Sequence, residues 1–415
     1  MSDPAATHTD SNSTPAARPR MLDFRSGGYA LLIAFVLCAM IVTWQVAFVL
    51  GTGCTPAIGD GRNPDTYGFR LDNLLVDRAV LAASGQPKDG LAALVEPPHV
   101  TPDEVAALNE SMRGHYLVSS DRVVGVTING EARCWPIVIL QWHEVVNDTV
   151  GGVPVLVCFS AYSDCAVVLE RHADQTFGHS GLMWNHTPLI FDRHAAPGTR
   201  NPEAAARESL WSPLQARAVA GPAADAGARM RILPAQFVTW SWWHAHHPDT
   251  RVMVTDTLAQ WCATRSGKPL YDKRYARDPF HMWYASPKLE PQWPVAPMPP
   301  DADDPARPLK AGAVAVRVAG MSGEWLDVAY ADVAARADAD GVWRTAWQAA
   351  DGTAVPLVFT HEKSVIGRPS VAVEVDASRL PATTTDPPPA LMIVHAFRFA
   401  LFATRERATA RTDVN

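Results

Sequence analysis

The hydrophobic pattern begins with one long apolar run and then turns to short periods. From Gly28 to Leu50 the residues read GYALLIAFVLCAMIVTWQVAFVL, uncharged and interrupted by Thr43 and Gln45. A helix needs about 20 apolar residues to cross a ~30 Å hydrocarbon core, so the run predicts a single transmembrane helix over 28–50. Arg18, Arg20 and Arg25 precede it and the next basic residue is Arg62. The positive-inside rule then puts the N-terminus in the cytoplasm and the rest of the chain on the periplasmic or extracellular side of the inner membrane. Cleavage or lipidation at Cys54 is the competing reading. The run is longer than a signal-peptide core, and Gly51 stands where a lipoprotein signal would carry Leu.

Residues 1–27 read as a disordered cytoplasmic tail, and 51–114 as a helical linker region in which Thr101-Pro102-Asp103-Glu104 opens a helix. Period two starts at Val123. VVGVTI, then Asn129-Gly130, then EARCW is a hairpin with a type I′ turn, and strands follow at 153–157 and 166–170. AVAVRVAG (313–320) resembles VVGVTING (123–130), and AVPLVF (354–359) resembles GVPVLV (152–157), at offsets of 190 and 202 residues. This weak repeat predicts a first β-rich unit over 115–285, a Pro-rich connector over 286–308, a second β unit over 309–402 and a disordered tail over 403–415. The expected fold is β-rich α+β: one transmembrane helix, then two related β units packed as one large extracytoplasmic domain.

Composition narrows the partners. A net charge of -7 and a pI near 6.0 give no general attraction to polyanions, so no nucleic acid is expected as a partner; the expected partner surface is the membrane. Six cysteines in an oxidising compartment raise the question of disulfides, and Cys158 with Cys165 is the pair close enough to face across a turn. The 14 tryptophans are unusual for a soluble domain and ask for a packing role.

The densest polar cluster is Gln141-Trp142-His143-Glu144-Val145-Val146-Asn147-Asp148. His143 and Glu144 are the candidate catalytic pair, since imidazole and carboxylate suit proton transfer. His143 with the distant His179 forms a candidate metal pair for zinc, copper or iron, because such ligands are gathered from separate strands. Ser180, Asn185, Asp192 and Arg193 follow as pocket or structural residues, together with Trp142, Asn147, Asp148 and Trp211. In TWSWWHAHH (239–247) a helix places Trp240, Trp243, His244 and His247 on one face, with the tryptophans most simply toward the core. No nucleophile elbow and no Gly-rich phosphate loop is present.

The run VVGVTINGEARCWPIVILQWHEVVNDTVGGVPVLV (123–157), ESLWS (208–212) and TWSWWHAHHPDT (239–250) together resemble the bacterial and archaeal family called domain of unknown function 3179, over about residues 115–400. The resemblance implies a membrane-associated or exported protein without an established reaction. It also implies a Cys-Pro-x-Cys-type motif, in some members with selenocysteine, hence redox or soft-metal chemistry after the Gly-Gly turn. This chain has Ser160-Ala161-Tyr162-Ser163 there, flanked by Cys158 and Cys165, and serine is a poor soft-metal ligand. It also inserts His194 to Arg207 between elements that the family keeps nearly continuous.

Two functional readings remain. One is an extracytoplasmic metal-dependent or redox enzyme centred on His143, Glu144 and His179. The other is a non-catalytic binding or assembly module in which the same residues form a buried structural network.

Overall fold

The computed structural model describes residues 28–51, 57–112, 115–196, 201–265, 275, 277–362, 368–379 and 389–404, with side chains in the first segment from 32 to 44. The chain divides into two units, 1–56 and 57–415. The first contains helix α1 (Gly28–Gly51), and its described side chains are all exposed. Among the described residues no helix is long and apolar enough to cross a membrane. The ends of the expected span, the tail 1–27 and Cys54 lie outside the described side chains.

The second unit begins with short strands β1 (Leu81–Ala83), β2 (Leu94–Val95) and β3 (His99–Val100), then helix α2 (Pro102–Ser111). Thr101 caps α2: its hydroxyl accepts from the Glu104 N–H while Glu104 accepts from the Thr101 N–H. A hairpin of β4 (Arg122–Ile128) and β5 (Glu131–Pro136) follows, turning at Asn129 and Gly130 with φ of 50° and 82°. Next come α3 (Ile137–His143) and a meander of β6 (Val145–Val150), β7 (Val153–Ser160) and β8 (Cys165–Glu170). Then come β9 (Thr176–Trp184), β10 (Thr187–Arg193), α4 (Pro202–Ala205), β11 (Leu210–Ser212), β12 (Arg217–Ala220), α5 (Pro222–Asp225) and β13 (Arg231–Ile232). After them stand β14 (Gln236–Thr239) with α6 (Trp240–His246), then β15 (Arg251–Met253), α7 (Asp256–Thr264) and α8 (His281–Ala285).

The order then recurs. β16 (Gly312–Val318) and β17 (Leu326–Ala329) match the first hairpin and α9 (Tyr330–Arg336) matches α3. β18 (Val342–Gln348), β19 (Ala354–Glu362) and β20 (Ser370–Val375) match the meander, and β21 (Leu391–Phe397) with α10 (Arg398–Thr404) matches β14 with α6. Longer links at 319–325, 337–341 and 349–353 absorb the change of offset between the two sequence matches.

The two passes exchange strands. One large sheet runs β17-β16-β21-β8-β7-β6-β2, with β13 on β8; the other runs β18-β19-β20-β14-β4-β5-β15-β3. Each therefore joins the hairpin side of one pass to the meander of the other, at Phe237 opposite Val371 and His395 opposite Ala166. The rings of Phe237 and His395, at matching places in the two passes, meet at 5.9 Å. A third sheet, β1-β9-β10-β11-β12, comes from the segment between β8 and β14 plus β1.

Alternation along the strands separates the cores. On β16 and β21, Val314, Val316, Val318, Leu391 and Ile393 enter one core while Ala313, Ala315, Val394 and Ala396 enter another. The expectation that 51–114 is a helical linker is corrected: β1 pairs with β9, β2 with β6 and β3 with β15, so the segment is stitched into all three sheets. These strands are two or three residues long, too short to show a period. The connector 286–308 is fastened by Trp293, buried and donating its indole N–H to the Ala83 carbonyl at 2.9 Å. Residues 403 and 404, expected in a disordered tail, are the buried end of α10.

Candidate functional site

The site starts from the junction of α3 and β6. Pro136 precedes the helix, Ile137, Ile139 and Leu140 bury its inner face, and the β-branched pair Val145-Val146 forces extended backbone immediately afterwards. One residue makes the change of direction. Glu144 takes φ 58°, donates its N–H to the Leu140 carbonyl at 2.7 Å and accepts the Phe159 N–H at 2.9 Å. Positive φ is unfavourable for a residue with a Cβ. The second pass makes the same junction with residues 337–341, and Gly341 takes its positive φ.

This turn sends neighbouring side chains apart. His143 donates from Nδ1 to the Ala92 carbonyl at 2.7 Å, which leaves Nε2 to accept the Tyr275 hydroxyl at 2.7 Å. Glu144 instead reaches β9, where its Oε2 lies 3.2 Å from Nε2 of His179. Both side chains are buried, at 6% and 2% exposure. Neither Glu144 Oε2 nor His179 Nδ1 has an aligned hydrogen-bond partner among the described residues.

A small cavity abuts the carboxylate, lined by Glu144, Cys158, Ser160, Cys165, Thr187 and Pro188, with other residues. Strand alternation puts Cys158 and Ser160 on one face of β7, and the register sets Ser160 opposite Cys165 and Cys158 opposite Val167. Ser160 Oγ and, in the following turn, Ser163 Oγ are buried without hydrogen-bond partners among the described residues. Burial pushes the Cys158 thiol up, and the Glu144 charge adds to it. Burial likewise raises Cys165, with Cys158, Asp164 and Glu144 adding to it. These are protonated thiols rather than ready thiolates.

Two expectations are corrected here. Cys158 and Cys165 do not form a disulfide: both are free thiols, placed diagonally across the β7–β8 pair and not opposite each other. His143 and His179 do not form a metal pair, because both ring nitrogens of His143 are engaged elsewhere. Among the described residues no group of three or more His, Cys, Asp or Glu is arranged to hold a metal.

Several other candidates brace the fold. Asn147 ties β6 to β9, donating to the Phe177 carbonyl at 3.0 Å and accepting its N–H at 2.7 Å. Asp148 accepts from Arg133 at 2.7 Å, the Trp135 indole at 2.9 Å and its neighbour's N–H at 2.8 Å, with His99 at 3.1 Å. Ser180 joins Leu189 and Leu182 inside the third sheet. Asn185 donates to Ala403 at 3.2 Å and accepts from Ala296 at 2.9 Å. Asp192 accepts the Ser209 N–H, so the segment following β10 leads back to the ESLWS strand beside it. Trp211 packs edge-on against Phe177, and Trp142 lies partly buried against the largest core.

On α6, Trp240, Trp242 and Trp243 are buried and His244 is exposed. His244, His246 and His247 stack on Trp240, Trp242 and Trp243 at 4.9, 3.9 and 4.0 Å. The histidines thus lie over tryptophan faces four residues back, an ordinary helical neighbour contact.

Sequence reasoning missed the charges that hold β9 in place. Lys88 pairs with Glu208 over the rings of Phe69 and Phe191, and Asp89 pairs with Arg193 at 2.6 Å. Burial raises the Asp89 carboxyl, although Arg193 and Lys88 pull the other way. A side chain at Gly178 would collide with the Arg193–Asp89 pair, which explains that glycine. The signal was weak: a lone Lys-Asp-Gly in a stretch without period.

Fold and site define a strand-exchanged, duplicated β-rich protein in which Glu144 and His179 form a buried carboxylate–imidazole pair beside a small cavity. A family model described as Protein of unknown function (DUF3179) matches residues 88–356, and the chain belongs to that family. The match takes in Lys88, Asp89, the Glu144–His179 pair and both hairpins. No curated protein and no solved structure matches the chain.

Proposed function

We propose that the protein is a membrane-anchored extracytoplasmic enzyme that moves a proton through the Glu144–His179 pair, beside a cavity carrying two thiols and the Ser160 hydroxyl. The observation that carries this reading is a buried carboxylate–imidazole contact in which Glu144 Oε2 and His179 Nδ1 have no aligned hydrogen-bond partner among the described residues, held on a residue of positive φ. Packing alone gives no reason for such an arrangement, and the second pass joins the corresponding helix and strand through residues 337–341, with glycine at the positive φ. His143, Asn147 and Asp148 are structural in this reading, since each is hydrogen-bonded within the protein. The apolar side chains exposed along α1, among them Phe35, Ile41 and Trp44, support the anchor.

The test is complementation of a deletion strain by the full chain. Wild type restores growth under envelope stress, while Glu144→Gln and His179→Asn, accumulated to the same level in the membrane fraction, do not. Full complementation by Glu144→Gln overturns the reading.

A further inference from the structure

The two passes carry cavities at matching places. In the first, Thr127 on β4 stands one residue beyond Val126, which pairs with Arg133; in the second, Arg317 on β16 stands one residue beyond Val316, which pairs with Leu326. Glu131 and Ala132 line the first cavity where Glu324 and Trp325 line the second. The last residues of α6 and α10, His246 and Thr404, close the corresponding sides. Position is shared and chemistry is not. The first cavity is a polar cleft with His99, Arg133 and Arg251, whereas the second, of about 1000 Å³, sets a mainly apolar side of Ala315, Met392, Val394, Ile232, Leu214 and Leu401 against Gln215, Gln348 and Thr404.

Arg317, partly buried, stands beside the apolar side of this cavity. Strand alternation puts Ala313, Ala315 and Arg317 on one face of β16, and the two alanines belong to the core there. The Arg317 Nη2 makes one long donation, 3.5 Å to the Met321 carbonyl, and its buried Nε has no partner among the described residues. A guanidinium with a buried, unpartnered Nε beside apolar side chains gains from a bound anion, and its planar fork suits a carboxylate or phosphate. Arg229 and one carboxylate, Glu324, also line the cavity. The volume matches that of a drug-sized ligand site.

We propose that this second cavity binds a long-chain anionic amphiphile, with its carboxylate or phosphate head on Arg317 and its chain along Ala315, Met392 and Val394. The proposal stands apart from the Glu144–His179 reading, because the two sites share no residue.

The experiment measures equilibrium binding of radiolabelled dodecanoate, dodecyl phosphate, dodecanol and inorganic phosphate to the full chain in zwitterionic nanodiscs, with empty discs subtracted. Both anionic amphiphiles bind saturably, dodecanol binds at least about tenfold more weakly, and inorganic phosphate does not compete. Arg317→Gln weakens both anions at least about tenfold and leaves dodecanol unchanged. Equal binding of dodecanol, competition by phosphate alone at the same concentration, or unchanged anion binding in Arg317→Gln overturns the proposal. Should Arg317→Gln not fold, Ala315→Phe, which fills the cavity, decides: it abolishes anion binding, and undiminished binding is contrary.

Discussion

Glu144, in the link before β6, and His179, on β9 of another sheet, meet at 3.2 Å, although Glu144 is adjacent in sequence to His143 and far from His179. The one-residue link between α3 and β6 brings this about by turning consecutive side chains in opposite directions. The same link stores strain, and the stored strain is measurable. Glycine adopts positive φ without a Cβ penalty. Glu144→Gly is therefore expected to stabilise the protein by about 0.5–1 kcal/mol in urea denaturation while removing the carboxylate. A destabilised variant would show that the Glu144 side chain holds the fold together.

Asp148 has the opposite character. It neutralises Arg133 and receives the Trp135 indole, so Asp148→Ala leaves a poorly exposed guanidinium without that partner. The expected loss is about 3–5 kcal/mol, seen as an earlier urea midpoint at pH 7.

The same carboxylate sets a pH dependence. Burial pushes Asp148 up, but hydrogen bonding and charge from His99, charge from Arg133 and the Thr149 N–H outweigh it, and the folded group titrates below the ordinary carboxylate value. A depressed folded pKa means stability that is present above the unfolded value near about 3.9 and lost as pH falls through the folded one. Wild type should thus lose stability on acidification below about pH 4 more steeply than Asp148→Asn. Parallel acid limbs in the two proteins would remove Asp148 from the account.

The thiols give a direct chemical reading. Cys134, Cys158 and Cys165 are buried, and burial raises each of their pKa values. Iodoacetamide at pH 8 should leave all three unmodified in the folded protein and alkylate all three in guanidinium, as read by peptide mass spectrometry. Missing alkylation at Cys158 and Cys165 after unfolding that dithiothreitol restores would mean that they are joined.

The parts of this fold visible in the sequence are those with local causes. Asn129-Gly130 demands a tight hairpin, Thr101 and Glu104 cap a helix, and the alternation in 153–160 announces a strand. The recurrence of VVGVTING as AVAVRVAG revealed a duplication. The exchange of strands between passes was hidden, because pairing Phe237 with Val371 leaves no trace in either segment. Two-residue strands such as β2 and β3 carry no period at all. At the candidate site, residue chemistry singled out 141–148 and His179, whose Glu144 and imidazole the fold brings together, but His143 and Glu144 look like partners until the backbone dihedral of Glu144 is known.

The central claim is that Glu144 is kept for function at a cost to stability. The melting temperature of Glu144→Gln, measured beside wild type, tests it most directly. Glutamine preserves shape and replaces a buried carboxyl whose Oε2 has no aligned hydrogen bond among the described residues, so the variant should melt within about 2 °C of wild type or above it. A fall of more than about 5 °C would contradict the claim and make the pair part of the structural network.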